Sequence, residues 1–289
     1  MRGAGVLMAM LGLMAMAAGA EPRTAYAQQP NDEAQAEYLL ALRYKQAGRN
    51  AEALEHARAA VRLRPDHAAA HFTIGSLERM AGNFEAALTA FQRVVELEPN
   101  SNRGYAMTGA VLARMNRCAD AITPLRRATE LDHSDVPSWA NLGSCLNRAH
   151  QADAAMAAYR QGLQHNPGNT DLLNNFAVTL RNAGRLDEAV QMLESALQRE
   201  PDQPELNLNI GTMYRRQNRW AEAAAAFERG LRGAPTNHGA MFDLAYCYEQ
   251  LGRDQDAIQM YHRYITALGG RDPDGVARAQ ERLIALEEP

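Results

Sequence analysis

The chain has 289 residues, of which 46% are hydrophobic and 22% are charged, so it is too apolar for an intrinsically disordered protein. A net charge of −4 argues against a protein built chiefly to hold nucleic acid, and three cysteines are too few for a dense disulfide framework. The composition therefore predicts a folded, soluble chain with one large core or a long stacked array.

The N-terminal residues have the pattern of a secretory signal peptide. Arg2 supplies a positive charge, residues 6–20 are apolar, and small residues precede two cleavage points, after Ala20 and after Ala27. We expect residues 1–20, with cleavage extending at most to 27, to be removed and residues 21–33 to form a linker. The mature protein is then periplasmic or secreted, with an uncleaved N-terminal anchor as the alternative.

Beyond the linker the sequence repeats with a period of 34 residues. If residue 34 is position 1, position 8 is always Gly or Ala, and position 32 is Pro in five of the seven repeats. Position 20 is alanine in every repeat: Ala53, Ala87, Ala121, Ala155, Ala189, Ala223 and Ala257. Repeats 1 to 7 span residues 34–67, 68–101, 102–135, 136–169, 170–203, 204–237 and 238–271.

Each repeat predicts a helical hairpin, because apolar residues recur at helical spacing in two runs separated by a short break. The break residues favour a left-handed backbone that ends the first helix: Gly48, Gly82, Asn116, Gly184, Asn218 and Gly252. Small side chains at positions 8 and 20 let the two helices approach closely beside a large residue at position 24, and Pro at position 32 ends the second helix. One hairpin cannot bury its apolar face alone, so we expect neighbouring hairpins to stack into a superhelix.

The segment from Trp139 to Gly143 (WANLG), followed by Ala155, Tyr159 and Pro167, resembles the tetratricopeptide-repeat family. The resemblance covers about four fifths of the chain and implies an all-α fold, a right-handed superhelix (α-solenoid) of seven helix-turn-helix repeats. Residues 272–289 resemble the C-terminal capping helix of such arrays. The side chains expected to cover the last repeat are Val276, Leu283, Ile284 and Leu286.

Sequence motifs for catalysis are missing: there is no phosphate-binding glycine loop, no HExxH, no paired-cysteine metal spacing and no nucleophile elbow. His67 and His71 are four residues apart, a spacing that suits a shared metal. However, His71 occupies the position of Trp139 in repeat 4, so a packed or capping histidine explains it better. We expect no enzyme activity, no cofactor and no bound metal.

In the family that the chain resembles, the first helix of each repeat lines the concave side, and positions 2, 5, 6, 9, 12 and 13 point into it. Asn141, Asn175 and Asn209 occupy position 6 in three consecutive repeats, and Asp243 follows in the last repeat. A side-chain amide offers one acceptor and two donors, which match the C=O and N–H groups of an extended peptide. A similar asparagine ladder holds peptide backbone in the repeat domain of O-linked N-acetylglucosamine transferases. We expect these residues to bind a peptide; the alternative is that Asn is simply frequent in the family at this position.

Positions 12 and 13, at the end of each first helix, carry a cation in each of the first six repeats. These cations are Lys45, Arg79, Arg114, Arg148, Arg181, Arg215 and Arg216. Because arginine forks onto carboxylates, we expect the arginines to bind an acidic protein segment or a free C-terminus. The alternative is that these side chains only interact favourably with the negative end of the helix dipole.

Apolar side chains occupy both ends of the predicted groove: Tyr38, Phe72 and Met107 in the first three repeats, Phe242 and Tyr246 in the last. This distribution predicts an extended partner with an apolar end. The alternative is that the N-terminal linker or another subunit covers part of these side chains.

Two of the cysteines fall at positions that pack against each other across neighbouring repeats. Cys118 begins the second helix of repeat 3, and Cys145 lies late in the first helix of repeat 4. Pro124 inside a helix and His133 in place of the usual proline weaken this joint, and a disulfide would offset the weakness. We expect a disulfide between the two; the alternative is two ordinary buried small residues.

These features favour an exported, non-enzymatic adaptor that holds an extended protein segment in its concave groove. The alternative is a structural scaffold of a cell-envelope assembly, such as pilus assembly or polysaccharide export, that uses its convex surface and helix ends. The expected partner is a protein or peptide segment, with no nucleic acid and no membrane span in the mature chain.

Overall fold

The computed structural model describes residues 30–287, and within this range the chain forms fifteen helices and no strand. The helices are α1 (Pro30–Gln46), α2 (Asn50–Leu63), α3 (Ala68–Met80), α4 (Phe84–Leu97), α5 (Asn102–Arg114), α6 (Cys118–Leu131), α7 (Val136–Arg148), α8 (Ala152–His165), α9 (Thr170–Asn182), α10 (Leu186–Arg199), α11 (Pro204–Arg216), α12 (Trp220–Gly233), α13 (His238–Gln250), α14 (Asp254–Leu268) and α15 (Pro273–Glu287). Each 34-residue repeat holds one pair of helices, and α15 follows the last pair. The all-α prediction is confirmed.

The N-terminal predictions fall mostly beyond the described residues, and the signal peptide, residues 1–20, lies wholly outside them. The predicted linker was expected to end at residue 33, but helix α1 begins at Pro30. Proline is favoured in the first turn of a helix, and Glu33 places negative charge near its positive end. The helix therefore starts earlier than the repeat pattern indicated.

A left-handed residue ends the first helix of every hairpin. The φ angles lie between 58° and 83° at Gly48, Gly82, Asn116, His150, Gly184, Asn218 and Gly252. Six of these are the Gly and Asn residues predicted for the break. His150 adopts the same conformation, with φ of 60°, which is uncommon for non-glycine residues although histidine adopts it more often than most. The packing of the hairpin therefore imposes this turn even where no glycine or asparagine is present.

The core lies between the paired helices and between successive pairs. All seven alanines at position 20 are fully buried, and the aromatic residues at position 24 are at most 1% exposed: Phe91, Tyr159, Phe227 and Tyr261. A methyl group on Gly75 would lie 2.8 Å from the ring of Phe91, closer than packed carbon atoms approach. The aromatic ring thus occupies the space that the glycine leaves, as the spacing predicted.

The first helices of the hairpins lie on the inner side of the stack. From α5 to α13, each first helix contacts the first helix of the next repeat as well as the second helix between them. In a curved stack the helices that approach most closely are the inner ones. The first helices therefore line the concave side of this α-solenoid.

Helix α15 covers the end of the stack with one apolar face. Ala279 and Leu283 are buried, and Val276 and Leu286 are half-buried. The prediction for Ile284 was wrong, because its side chain is 57% exposed. Residue 284 lies about 100° around the helix from Leu283, which points it away from the buried stripe. Among the helices between residues 30 and 287, none has both the length and the apolar character needed to cross a membrane.

Candidate functional site

The asparagine ladder lies on three adjacent inner helices, α7, α9 and α11. Asn175 is exposed and Asn141 half-buried, and neither side chain has a hydrogen-bond partner among residues 33–287. The amide nitrogen of Asn209 donates to Oδ1 of Asn174 at 2.7 Å, a partner in the preceding repeat. Two members of the ladder therefore present free amides, and the third is already held in place.

Asp243 continues this row on α13 as part of an ion pair. Its Oδ1 lies 3.4 Å from Nε of Arg215, and both side chains are partly buried. Burial raises the pKa of Asp243 above its ordinary value, and the positive charge of Arg215 opposes this shift. Nε of Arg215 is itself buried with no hydrogen bond in the described part of the chain. Both residues line a pocket at this end of the row, where the carboxylate and the guanidinium lie side by side.

The other arginines at positions 12 and 13 are not neutralised by neighbouring carboxylates. Arg79, Arg114, Arg148 and Arg181 have no carboxylate oxygen within 4 Å among the described residues. Arg148 donates to Oδ1 of Asn116, and Arg181 lies 3.4 Å from Oδ1 of Asn182. Each stands in the last turn of its helix, where the helix dipole also favours a cation.

A second set of arginines, unlike those beside the groove, is paired with carboxylates. The residue before the second helix is arginine in five repeats, and each pairs with a carboxylate three residues later. These arginines are Arg49, Arg117, Arg185, Arg219 and Arg253. Within the described residues, the arginines at the starts of the second helices are therefore paired with carboxylates, whereas Arg79, Arg114, Arg148 and Arg181 beside the groove are not.

Charge is distributed unevenly along the inward positions 2, 5, 6, 9, 12 and 13, which we call the groove. In repeats 1–4 these positions carry cations and no carboxylate: Lys45, Arg79, Arg103, Arg114 and Arg148. In repeats 5–7 they carry both signs: Asp171, Glu205, Asp243 and Glu249 with Arg181, Arg215 and Arg216. The groove therefore has a purely basic N-terminal part and a mixed C-terminal part.

The N-terminal part of the groove is also its most exposed apolar part. Leu39 is 51% exposed and Leu42 37% exposed, and Tyr38, Phe72 and Met107 are half-buried. The ring of Phe72 packs on Phe91 of the core at 5.4 Å. A pocket of about 210 Å³ lies here, lined by Tyr38, Leu42, Lys45, Phe72 and Arg103 among others.

At the C-terminal end, α15 forms one wall of a pocket of about 550 Å³. Its lining includes Arg215, Phe242, Tyr246, Arg278 and Arg282. Phe242 packs on Tyr261 and Tyr264 with ring centroids 5.5 and 5.4 Å apart. Arg282 donates to Glu249 at 2.9 Å. Both aromatic residues predicted for this end therefore line the pocket, and Phe242 also packs on the core.

Sequence reasoning missed one groove residue, Arg103, and two residues of the C-terminal pocket, Arg278 and Arg282. The guanidinium of Arg103 stacks over the ring of Phe72 at 4.2 Å, and its signal was a basic residue at inward position 2. Arg278 and Arg282 come from α15, which lies outside the seven repeats, so the period gave no register for them.

The structure brings the two predicted cysteines together as free thiols. Their Sγ atoms are 2.7 Å apart, and both side chains are buried. Burial, followed by the contact with Cys118, raises the pKa of Cys145 to about 12. The disulfide itself stays a prediction.

His71 has the capping role that its register suggested. Its Nε2 is 3.0 Å from the carbonyl oxygen of Pro65, and Nε1 of Trp139 donates to the carbonyl of His133 at 2.8 Å. Each side chain thus contacts the backbone carbonyl oxygen of the residue six positions earlier, which is position 32 of the preceding repeat.

Comparison with known proteins agrees with this architecture. A family model described as "Tetratricopeptide repeat" matches residues 38–102, 107–170, 174–238 and 214–275. The comparison with curated proteins gives no match.

Several solved structures share the fold. A tetratricopeptide repeat protein from Parabacteroides merdae is 13% identical with a TM-score of 0.62, and the match covers 89% of this chain and 99% of that one. PilW, a widely conserved type IV pilus biogenesis factor, is 18% identical with a TM-score of 0.58, covering 70% and 94%. YrrB, a TPR protein with an unusual peptide-binding site, is 18% identical with a TM-score of 0.55, covering 68% and 100%.

Proposed function

This chain belongs to the tetratricopeptide-repeat family, and from that premise we propose that it is a non-enzymatic adaptor that holds an extended protein segment in its groove. The single observation that carries the proposal is the contrast between the two sets of arginines. Those at the starts of the second helices are paired with carboxylates, whereas Arg79, Arg114, Arg148 and Arg181 beside the groove have no such partner among residues 33–287. An acidic segment would supply the missing carboxylates.

The ladder supports an extended conformation for this segment. Asn141 and Asn175 present side-chain amides on adjacent inner helices, and each can serve one backbone N–H and one backbone C=O. A regular helix has already used these backbone groups, so the ladder favours a ligand whose backbone is free. Backbone contacts would give affinity and the arginines would select acidic residues.

We also propose that the adaptor works outside the cytoplasm. The support is the sequence of residues 1–27, which has a positively charged N-terminus, an apolar centre and small residues before the cleavage points. An extracytoplasmic adaptor would meet its partner in the periplasm or beyond the cell.

Site-specific photocrosslinking in cells tests where the partner lies. A photoreactive residue replaces Ser144, at inward position 9 of α7, or Thr89, exposed on the second helix α4. A partner captured at 144 and not at 89, and lost on charge reversal of Arg114 and Arg148, is the expected result. Capture at 89 and not at 144 would refute the adaptor and favour the scaffold that uses the convex surface.

A further inference from the structure

The convex side carries a crevice that the groove does not explain. It lies between the second helices α4 and α6, with α5 as its floor, and its volume is about 810 Å³. Val95, Tyr105, Leu112 and Pro124 supply apolar walls. This volume lies within the range of small-molecule sites, roughly 300–1,000 Å³.

A hydrogen bond that spans the corresponding crevice in repeats 6 and 7 is missing here, and the crevice at repeat 6 is smaller, about 550 Å³. At position 11, Tyr214 donates to Glu194 at 2.7 Å, and Tyr248 donates to Glu228 at the same distance. Each bond joins a first helix to the second helix of the preceding repeat. In repeats 3, 4 and 5 the residue at position 11 is leucine (Leu112, Leu146 and Leu180), which has no polar group to reach across.

The floor of the crevice holds a polar group without a partner. Position 7 is apolar in the other repeats: Leu40, Ile74, Leu142, Phe176, Ile210 and Leu244. In repeat 3 it is Thr108, which is 6% exposed and whose Oγ1 makes no hydrogen bond within the described chain. The hydroxyls of Thr73 and Thr179, by contrast, each donate to the carbonyl four residues earlier in their helix.

The rims of the crevice are charged but already neutralised. Arg117, the residue before α6, pairs with Asp120 at 2.7 Å, and Arg127 pairs with Glu130 at 3.3 Å on α6. On α4, Glu96 pairs with Arg93 at 2.7 Å. Only Arg126 of the charged lining residues lacks such a partner among residues 33–287. The site therefore does not select for a strongly charged ligand.

We propose that this crevice binds a neutral, mostly apolar small molecule. The molecule carries one polar group, which forms a hydrogen bond with the hydroxyl of Thr108. The open apolar walls accept the body of the ligand, and the buried hydroxyl fixes its orientation. This site is independent of the groove, and its test does not depend on the partner protein.

Indole is a suitable probe because it is neutral and bicyclic and has a single N–H group. The full-length protein is titrated with indole by calorimetry, and we expect saturable binding with a dissociation constant on the order of 0.1–1 mM. Thr108→Ile, which installs the residue of repeats 2 and 6, should fill the floor and weaken binding at least tenfold without lowering the melting temperature.

A second variant distinguishes the contribution of the Thr108 hydroxyl from that of the side-chain shape. Thr108→Val should weaken indole several-fold and leave 1-methylindole, which lacks the N–H, unchanged. Thr89→Val on the exposed face of α4 is the matched control and should bind both probes as the wild type does. The proposal would be overturned if binding did not saturate at an indole concentration ten times the expected dissociation constant. Equal indole binding by the wild type and both Thr108 variants would also overturn it.

Discussion

His67 is a residue whose surroundings favour its neutral form. It lies at the N-cap of α3, where Nδ1 accepts from the backbone N–H of Ala70 at 3.4 Å, and its ring packs against Tyr38. Burial lowers the pKa of His67 below its ordinary value, and the nearby charge of Arg64 adds to this shift. A protonated imidazole could not accept from Ala70, so protonation removes the cap as well as charging a buried ring.

The sign of the resulting pH dependence follows from this lowered pKa. The unfolded state binds the proton first, near pH 6.5, so stability is complete above that pH and is lost as the pH falls toward the folded-state pKa. We predict that the melting temperature falls on acidification from about pH 7.5 to pH 5, and that it falls less in H67N. Asparagine keeps the cap, because Asn169 and Asn237 make the same bond in other repeats.

The control for this prediction is H71N. Asn207 shows that asparagine can hold the position-32 carbonyl at this register, with a bond of 2.7 Å to Pro201. H71N should keep the wild-type pH dependence measured by circular dichroism. Equal acid sensitivity of H67N and the wild type would contradict the assignment to His67.

At the scale of the helices, the joint between repeats 3 and 4 is the least regular one. Pro124 interrupts the backbone hydrogen bonds of α6, and His150 holds the left-handed turn after α7. Cys118 and Cys145 lie across this joint with their Sγ atoms 2.7 Å apart. A bond between them would tie α6 to α7 where the repeat pattern is weakest.

We predict that the exported protein carries this disulfide. The two cysteines are 27 positions apart, and a loop of that length gives about 3.5 kcal/mol of stabilisation in the chain-entropy estimate. Reduction should lower the melting temperature of the wild type and leave that of C118S unchanged. Three free thiols in protein recovered from its native compartment would reject the bond.

The helices were predictable because the sequence features that define each helix pair recur from one repeat to the next. Small residues at positions 8 and 20 and the proline at position 32 recur, so one divergent repeat does not hide the pattern. The start of α1 at Pro30 and the exposed Ile284 were not predicted, because both lie at ends where no neighbouring repeat fixes the register. Arg278 was missed for the same reason.

The groove was predictable only as a set of positions. The period placed Asn141 and Asn175 on the inner face, but it did not reveal that Asn209 is held by Asn174 or Arg215 by Asp243. Those pairings depend on side-chain contacts between repeats, and the repeat period does not encode such contacts. The convex crevice likewise required the three-dimensional arrangement of α4, α5 and α6.

Across the whole molecule, the basic N-terminal part of the groove should dominate the salt dependence of partner binding. Reversing Arg79, Arg114 and Arg148 to Glu should weaken binding at low salt and flatten its salt dependence, because screening then has less attraction to remove. R126E, on the outer helix α6, should bind as the wild type does. An unchanged salt dependence in the triple variant would refute a role for these arginines in binding.

The second prediction for the whole molecule concerns export. The intact mass of the native protein should correspond to cleavage after Ala20 or Ala27, because small residues precede both points. The protein should be recovered outside the cytoplasm. A full-length mass in the soluble cytoplasmic fraction would contradict this assignment.

The most direct test of groove binding is the affinity of the crosslinked partner segment for the variant N141A/N175A/N209A. Each lost hydrogen bond is worth roughly 0.5–1.5 kcal/mol, so we predict binding weaker by at least about tenfold, with helicity unchanged. A T89A variant, altered on an outer helix, should bind as tightly as the wild type. Equal affinity of the triple variant and the wild type would contradict the proposal that the ladder holds the backbone of an extended segment.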